Sequence, residues 1–313
     1  MHSQSLKYRL GDYCLWQFRF KAKIVDAPAT CYFRDEKLLQ GLISTVGEAK
    51  TPYVIESFPA PKPLPKLAIN GKHLRYIPVQ YLGYYIEFRG SFGQYLKKFS
   101  PKSRYNLARS ARMLAELDGG RLDCREYRLP KQMAHFHQLA DGLSKRTYQE
   151  RVLREGFINR AGSYEDLQEL AKFDAVRGYV LFNAGQAIAY VFCRCYSDTL
   201  LYDVIGYDTR FHKYSPGSVL LYVIIQKIFA EGTFKYLDFG EGGSWYKEFW
   251  STGVVRCARG YYFLMGIPII SAVLMHIASN AVSDLLGTVL ATLGLRHKVR
   301  RILRQRVFSG AKG

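Results

Sequence analysis

Acidic residues are scarce in this chain. Its 313 residues include 26 Asp and Glu against 45 Lys and Arg, a net charge of +19. The imbalance points to an anionic partner without naming one: nucleic acid, an acidic membrane surface, a phosphorylated cofactor or an acidic carrier protein. Cysteine is equally uninformative as a framework. The six cysteines (Cys14, Cys31, Cys124, Cys193, Cys195, Cys257) include no CxxC pair, and histidine is too sparse around them to complete a zinc site. We expect reduced, buried thiols and no metal. The opening MHSQSLKYRLGDYCLW holds no apolar stretch that could serve as a signal peptide, so a cytoplasmic protein is expected. No RNP-type aromatic pattern, zinc finger or heptad-bearing basic region occurs, which disfavours sequence-specific nucleic-acid recognition. No Ser-His-Asp or Cys-His order with a strand-turn nucleophile occurs either, which disfavours covalent catalysis.

What is present is an ordinary globular composition, with 48% hydrophobic and 23% charged residues. The chain is long enough for two domains and for a core without disulfide or metal staples. Residues 7–26 alternate polar with apolar types and read as one or two strands. EKLLQGLISTVGE (36–48) has helical spacing, TPYVIESF reads as a strand, and PAPKPLPK as a proline-rich loop. GYYIEFRG reads as extended. Ser100-Pro101 reads as an N-cap with proline at the first helical position, opening a helix to about Leu117. That helix carries Lys102, Arg104, Arg109 and Arg112, either as a solvated face or as an anion-facing one.

From residue 121 strands and helices alternate. LDCREYRL is a strand, followed by two helices over KQMAHFHQLADGLSKRTYQ and SYEDLQELAKF. RGYVLFNAGQAIAYVFCRCY reads as a hairpin turning at Asn183 to Gly185, and DTLLYDVIGYD as a third strand. SPGSVLLYVIIQKIFAEG is a helix, FKYLDFGE a strand, SWYKEFWST a short helix, and VRCARGYYFL strands. In residues 267–295 only Asp284 is ionised. A helical plot puts Ile270, Leu274, Ile277, Ala281, Leu285, Val289 and Leu293 on one side and Ser279, Asn280, Ser283, Thr288 and Thr292 on the other. Arg296, Lys298, Arg300, Arg301, Arg304 and Arg306 follow. This amphipathic segment reads either as an attachment to an anionic membrane surface or as a helix packed on the domain with a solvated tail.

The most informative stretch is LLYDVIGYDTRFHKYSPGSVLLYVII. A strand runs into a turn bearing Arg210, His212 and Lys213, then Ser215-Pro216-Gly217-Ser218, then a helix. This order aims the amide groups and positive dipole end of a helix at whatever lies over the turn, the chemistry needed to hold a pyrophosphate. The alternative is an ordinary capped helix with two incidental cations.

The order of elements from 121 to 265 resembles the GNAT acyltransferase superfamily. More closely, it resembles the cellulose-biosynthesis-type (CelD/BcsL) branch, a relative of the Fem-type peptidyltransferases. The likeness covers about residues 85–255. It rests on the basic segment Phe99 to Arg109, the turn His212 to Ser218, and Leu237-Asp238-Phe239-Gly240-Glu241-Gly242 followed by Tyr246-Lys247 and Phe249. The turn departs from the superfamily's usual Gln/Arg-x-x-Gly-x-Gly/Ala pattern at Pro216 and Ser218.

The resemblance implies a mixed α+β architecture with a GNAT-like mixed sheet flanked by helices. It implies a degenerate GNAT-like half at 1–118 and an acyltransferase domain at 119–265, ahead of the amphipathic helix and basic tail at 266–313. The implied donor is acetyl-CoA or another acyl-CoA, with an acyl carrier protein as an alternative. The donor would lie in a gap between the strands around 199–207 and 234–239. Backbone groups around Val204 and Ile205 would meet the pantetheine arm. Arg210, Lys213, Ser215, Gly217 and Ser218 would take the pyrophosphate. Lys247 is either a further phosphate contact or a solvated side chain. Tyr246 is the candidate acid, or else a packing residue. Glu241 and Asp238 are candidate bases, or else loop caps. Asp203 is either a core-edge hydrogen bonder or a substrate contact, and His135 and His137 read as surface residues.

The implied activity is N- or O-acyl transfer to a sugar, a polysaccharide precursor or a small amine. A Fem-type aminoacyl-tRNA-dependent transferase and a non-catalytic membrane-surface module remain as alternatives. The expected location is the cytoplasm, with peripheral attachment to the inner face of a membrane.

Overall fold

Side-chain alternation at the N-terminus produces an antiparallel hairpin, β1 (His2–Leu10) and β2 (Tyr13–Val25). The computed structural model describes residues 1–10, 13–33, 36–47, 49–145, 157 and 161–292. A 3-10 turn (Ala29–Tyr32) and α1 (Glu36–Gly47) lead to β3 (Tyr53–Pro59), which lies parallel to the end of β2. β4 (Leu67–Asn70) pairs with the start of the long β5 (His73–Glu87). After the single-turn α2 (Phe92–Leu96), α3 (Pro101–Glu116) begins where Ser100-Pro101 predicts, the Ser100 hydroxyl accepting from the Ser103 amide at 3.1 Å.

The second part contains β6 (Asp123–Tyr127), α4 (Pro130–Ser144), α5 (Tyr164–Lys172), β7 (Val176–Asn183), β8 (Gln186–Tyr196) and β9 (Thr199–Tyr207). Ala184 (φ 47°) and Gly185 (φ 75°) make the β7–β8 turn, as the Asn-Ala-Gly sequence predicts. α6 (Pro216–Glu231), β10 (Tyr236–Asp238), α7 (Trp245–Trp250) and β11 (Gly253–Leu264) follow. The expected strand FKYLDFGE shrinks to three residues, and VRCARGYYFL lies within one long strand.

Among the described residues all eleven strands join one mixed sheet in the order β1-β2-β3-β11-β5-β10-β9-β8-β7-β6, with β4 on β5. β11 runs antiparallel between β3 and β5, so the last strand among the described residues sits among the early ones. Helices cover both faces of the β7–β9 region, which explains why β7 is buried at seven successive positions. α3 and α6 pack on one face, with Val219, Ile224 and Leu114. α4 and α5 pack on the other, with Phe136 and Leu167. The two faces together form a mixed α/β arrangement, with helices on both sides of the sheet.

The C-terminal helix α8 (Ile267–Thr292) packs on β1 and β5. Tyr8 donates to the Ala272 carbonyl at 2.9 Å, Tyr76 bonds His276 Nδ1 at 2.6 Å, and Ser279 donates to the Arg9 carbonyl at 3.1 Å. The expected apolar stripe faces outward at Ile270, Leu274, Ala281, Leu285 and Val289, whereas Ile277 is half-buried. Leu293 and the basic tail lie outside the described residues. All six thiols are free; Cys193 and Cys257 are buried, but Cys14, expected to be buried, is exposed because its strand pairs at the sheet's outer edge.

Candidate active site

β9 and β10 create the site by parting. They run parallel and pair only at Thr199–Tyr236, Leu200–Leu237 and Leu201–Asp238. On its other side β9 loses register with β8: Tyr202 faces Cys193 and Val204 faces Phe192, so Asp203 is an inserted residue. Such a bulge bends the strand and sharpens its twist, which carries the end of β9 away from β10. A cavity of about 540 Å3 fills the gap, lined by Leu201, Asp203, Ile205, Asp238, Glu241, Tyr246 and Lys247 among others.

The loop after β10 is fastened from two sides. Asp238 is buried; its Oδ1 accepts from the Gly240 amide at 2.8 Å and its Oδ2 from the Thr30 hydroxyl at 3.0 Å. Burial raises the Asp238 carboxyl above its ordinary value, opposed by those donors and by the nearby Lys247 charge. Lys247 is 8% exposed, which excludes the solvated alternative. Its ammonium donates to the carbonyls of Phe239 at 2.7 Å and Glu241 at 2.8 Å. Gly240 (φ 65°) and Gly242 (φ 95°) supply the left-handed backbone that lets the loop curl around this ammonium. α7 is anchored by aromatic packing. Phe99 of the segment before α3 lies 4.7 Å from Phe249 and 5.5 Å from Trp250, and Tyr95 donates to the Trp250 carbonyl at 2.7 Å. Tyr246 stands edge-on to Phe239 at 6.1 Å.

Charged pairs form the opposite wall. Arg259 of β11 reaches Glu56 at 2.8 Å and Glu241 at 2.7 Å. Arg194 reaches Asp203 at 2.8 Å and also pairs with Asp26. Burial pushes the Glu56 carboxyl up, an effect that Arg259 opposes. Thus Asp26, Glu56, Arg194 and Arg259 belong to the site although the sequence reading does not name them. Arg194 between two cysteines of an apolar strand, and Arg259 within VRCARGYYFL, were the available signals: each puts a charge where the pattern demands burial.

The turn after β9 lies beyond the cavity's lining residues. Asp208 is buried and accepts from the Arg210 amide at 3.0 Å and from its guanidinium at 2.6 Å. Lys213 sits 4.8 Å over the Tyr214 ring. A 3-10 turn (Thr209–Tyr214) ends at Ser215, which adopts φ 52°, ψ 51°, and Pro216 opens α6. The first amide to bond within α6 is that of Val219, to the Ser215 carbonyl at 3.0 Å. With no side chain capping this end, the Gly217 and Ser218 amides are directed outward past the helix start. α3 packs beside this turn and α6.

The structure therefore brings Asp238, Glu241, Tyr246, Lys247 and Ile205 to one cavity. It sets Arg210, Lys213, Ser215, Gly217 and Ser218 together at the neighbouring turn. The Val204 side chain turns to the other face, into the core with Phe136 and Phe192.

Residues 101–248, from α3 into α7, match the family model described as the acetyltransferase (GNAT) domain. This stretch, just under half of the chain, is similar to such a domain. Residues outside it, including Asp26, Glu56 and Arg259, complete the wall of the cavity. No curated protein matches the chain. Among solved structures it is similar to a conserved protein of unknown function from Bacteroides thetaiotaomicron (12% identity, 72% of this chain and 75% of that one, TM-score 0.48). It is also similar to FemX (10% identity, 82% and 83%, TM-score 0.47). A third similar structure is L-PGS from Bacillus licheniformis (12% identity, 77% and 76%, TM-score 0.45).

Proposed function

We propose that the protein moves an acyl group directly from a thioester donor to an amine or hydroxyl of a sugar, a polysaccharide precursor or a small amine. The donor in this reading is acetyl-CoA or another acyl-CoA, with an acyl carrier protein as the other source. The observation that carries the reading is the parting of β9 and β10 just past Leu201 and Asp238, with a cavity in the gap.

The residues fit such a donor. A Cβ added at Gly217 would meet only Tyr207, at 3.7 Å, so the start of α6 is open to close approach. The amides at Ser215, Gly217 and Ser218, with Arg210 and Lys213 beside them, suit a diphosphate. The backbone at Val204 and Ile205 suits the pantetheine amides. When bound, an acyl-CoA supplies an activated acyl carbon and a thiol leaving group. Proximity then does most of the work. Glu241, held by Arg259, takes the proton from the acceptor's amine or hydroxyl. The Tyr246 hydroxyl provides the proton for the departing thiolate. Asp238 has both carboxylate oxygens engaged, so it holds the Gly240–Glu241 loop, as Lys247 does from the other side.

Placement in the cellulose-biosynthesis-type branch is part of this proposal, supported by the segments Leu237 to Gly242 and Tyr246-Lys247. So are the role of residues 1–118 as the half that walls the acceptor side, and a location at the cytoplasmic face of a membrane. Calorimetry with CoA tests the central point. Binding that Gly217→Asp weakens supports it, and failure to bind CoA or any acyl carrier overturns it.

The net charge of +19 favours a second reading, a Fem-type transferase fed by aminoacyl-tRNA. Steep salt dependence of tRNA binding, together with aminoacyl transfer, would select it. Binding to vesicles without any turnover, unaffected by Tyr246→Phe, would select the non-catalytic module instead.

A further inference from the structure

The helix α8 is mounted with much of its polar side inward. His276 is buried and bonded to Tyr76, and Ser279 is bonded to the backbone of β1. The outward side is apolar: Ile267, Leu274 and Leu285 are 82%, 52% and 64% exposed, with Met275, Val282 and Val289 beside them. Residues Ile267–Val289 have the length and hydropathy of a membrane span, yet only 17% of the most apolar window is buried. The edge hairpin extends this surface. Trp16 packs on Tyr8 at 4.8 Å, Tyr8 on His276 at 5.6 Å, and both Trp16 and Leu15 are exposed.

We propose that this face, α8 together with Leu15 and Trp16 of β2, lies flat on a bilayer of anionic phospholipid. Three observations choose that occupant. First, an apolar helix face flanked by an exposed tryptophan is the composition of an interfacial helix. Second, no acidic residue follows Asp284, while Arg296, Lys298, Arg300, Arg301, Arg304 and Arg306 do. Such a run is drawn to anionic headgroups within a Debye length of the surface. Third, Arg9 and Lys66 line a shallow pocket of about 260 Å3 beside α8, with Asn280, Ser283 and Asp284, and so add cations at the flank of the apolar face.

A second copy of this chain is the less suitable occupant, because two chains of charge +19 repel each other. Spanning is also disfavoured. The bonds from Tyr8, Tyr76 and Ser279 fasten one side of α8 to the sheet, whose edge backbone could not be satisfied inside hydrocarbon.

The test is flotation of the full chain with vesicles of phosphatidylcholine alone or of phosphatidylcholine with phosphatidylglycerol. We expect at least about ten-fold more protein on the anionic vesicles, a difference that high salt reduces. Release by alkaline carbonate is expected for a surface-lying helix; retention would overturn the proposal in favour of a span. The double variant Leu274→Glu/Leu285→Glu should lose flotation while keeping its melting temperature and its CoA binding. Unchanged flotation of that variant, or equal flotation on both vesicle types, overturns the proposal. So does light scattering that shows a dimer which the variant converts to monomer. Because CoA binding is read separately, failure here leaves the proposed catalytic function standing.

Discussion

Thr30 and Asp238 stand 208 positions apart in the chain and are joined by a hydrogen bond of 3.0 Å from the Thr30 hydroxyl to the buried carboxylate. The bond ties the 3-10 turn after β2 to the strand end that opens the cavity. Thr30→Ala removes a donor from a desolvated charged group, a loss worth about 1–3 kcal/mol. Urea unfolding should report it, and Thr30→Ser should recover most of it. Turnover should fall with Thr30→Ala because the loop carrying Glu241 loses one of its fixings.

Gly217 separates binding from stability. Alanine has room there and stiffens the first turn of α6, so Gly217→Ala should melt at or slightly above the wild-type temperature. Its methyl group would nonetheless occupy the approach to the amides, and CoA affinity should drop about ten-fold, or about 1.4 kcal/mol by calorimetry. Equal affinity would count against the assignment of this turn.

Tyr246→Phe keeps the ring against Phe239 and removes only the hydroxyl. The fold should be kept, while kcat should fall by about 10²–10⁴, the range of general acid–base catalysis, with donor KM retained. A variant with full kcat would return Tyr246 to a packing role.

Gly178 of β7 lies under Phe136 of α4. A Cβ built at that glycine would meet the ring at 2.5 Å. Overpacking at such a contact costs about 1–3 kcal/mol. Denaturant titration of Gly178→Ala should show that loss, and Phe136→Leu in the same chain should recover part of it.

Burial lowers the His276 pKa below its usual value, with the Arg9 charge adding to the effect and a backbone carbonyl at Lys7 opposing it. Tyr8 and Tyr76 are the other titratable groups against its ring. The folded state therefore binds the His276 proton less readily than the unfolded state. Docking of α8 is fully stable above the unfolded value of 6.5 and weakens as pH falls below it toward the depressed folded value. Protection factors for hydrogen exchange within 267–292, which correct for the intrinsic rate at each pH, should fall between pH 7 and 5, a fall that His276→Gln should blunt.

The local features of the fold are legible where a short sequence fixes backbone geometry. Ser100-Pro101 marks the start of α3, and Asn183 to Gly185 marks the β7–β8 turn, because caps and tight turns act over a few residues. β10 and β11 are legible as extended but not in extent or pairing, since those depend on neighbours distant in sequence. The candidate site divides the same way. Tyr246, Glu241 and the Ser215–Ser218 turn come from contiguous motifs. The Arg194 pairing with Asp26 spans 168 positions, and the inward turn of Lys247 follows from the curl of the 239–242 loop. Neither relationship leaves a local periodicity to read.

The lodging of β11 between β3 and β5 has a consequence for biosynthesis. Residues 53–87 leave the ribosome well before residues 253–264, yet it is the latter that fill the space between β3 and β5. Until then β3 and β5 present open backbone edges to solvent, the situation in which nascent chains recruit chaperones or pair wrongly. Translation of the long intervening segment thus sets the interval over which the first part of the polypeptide needs protection.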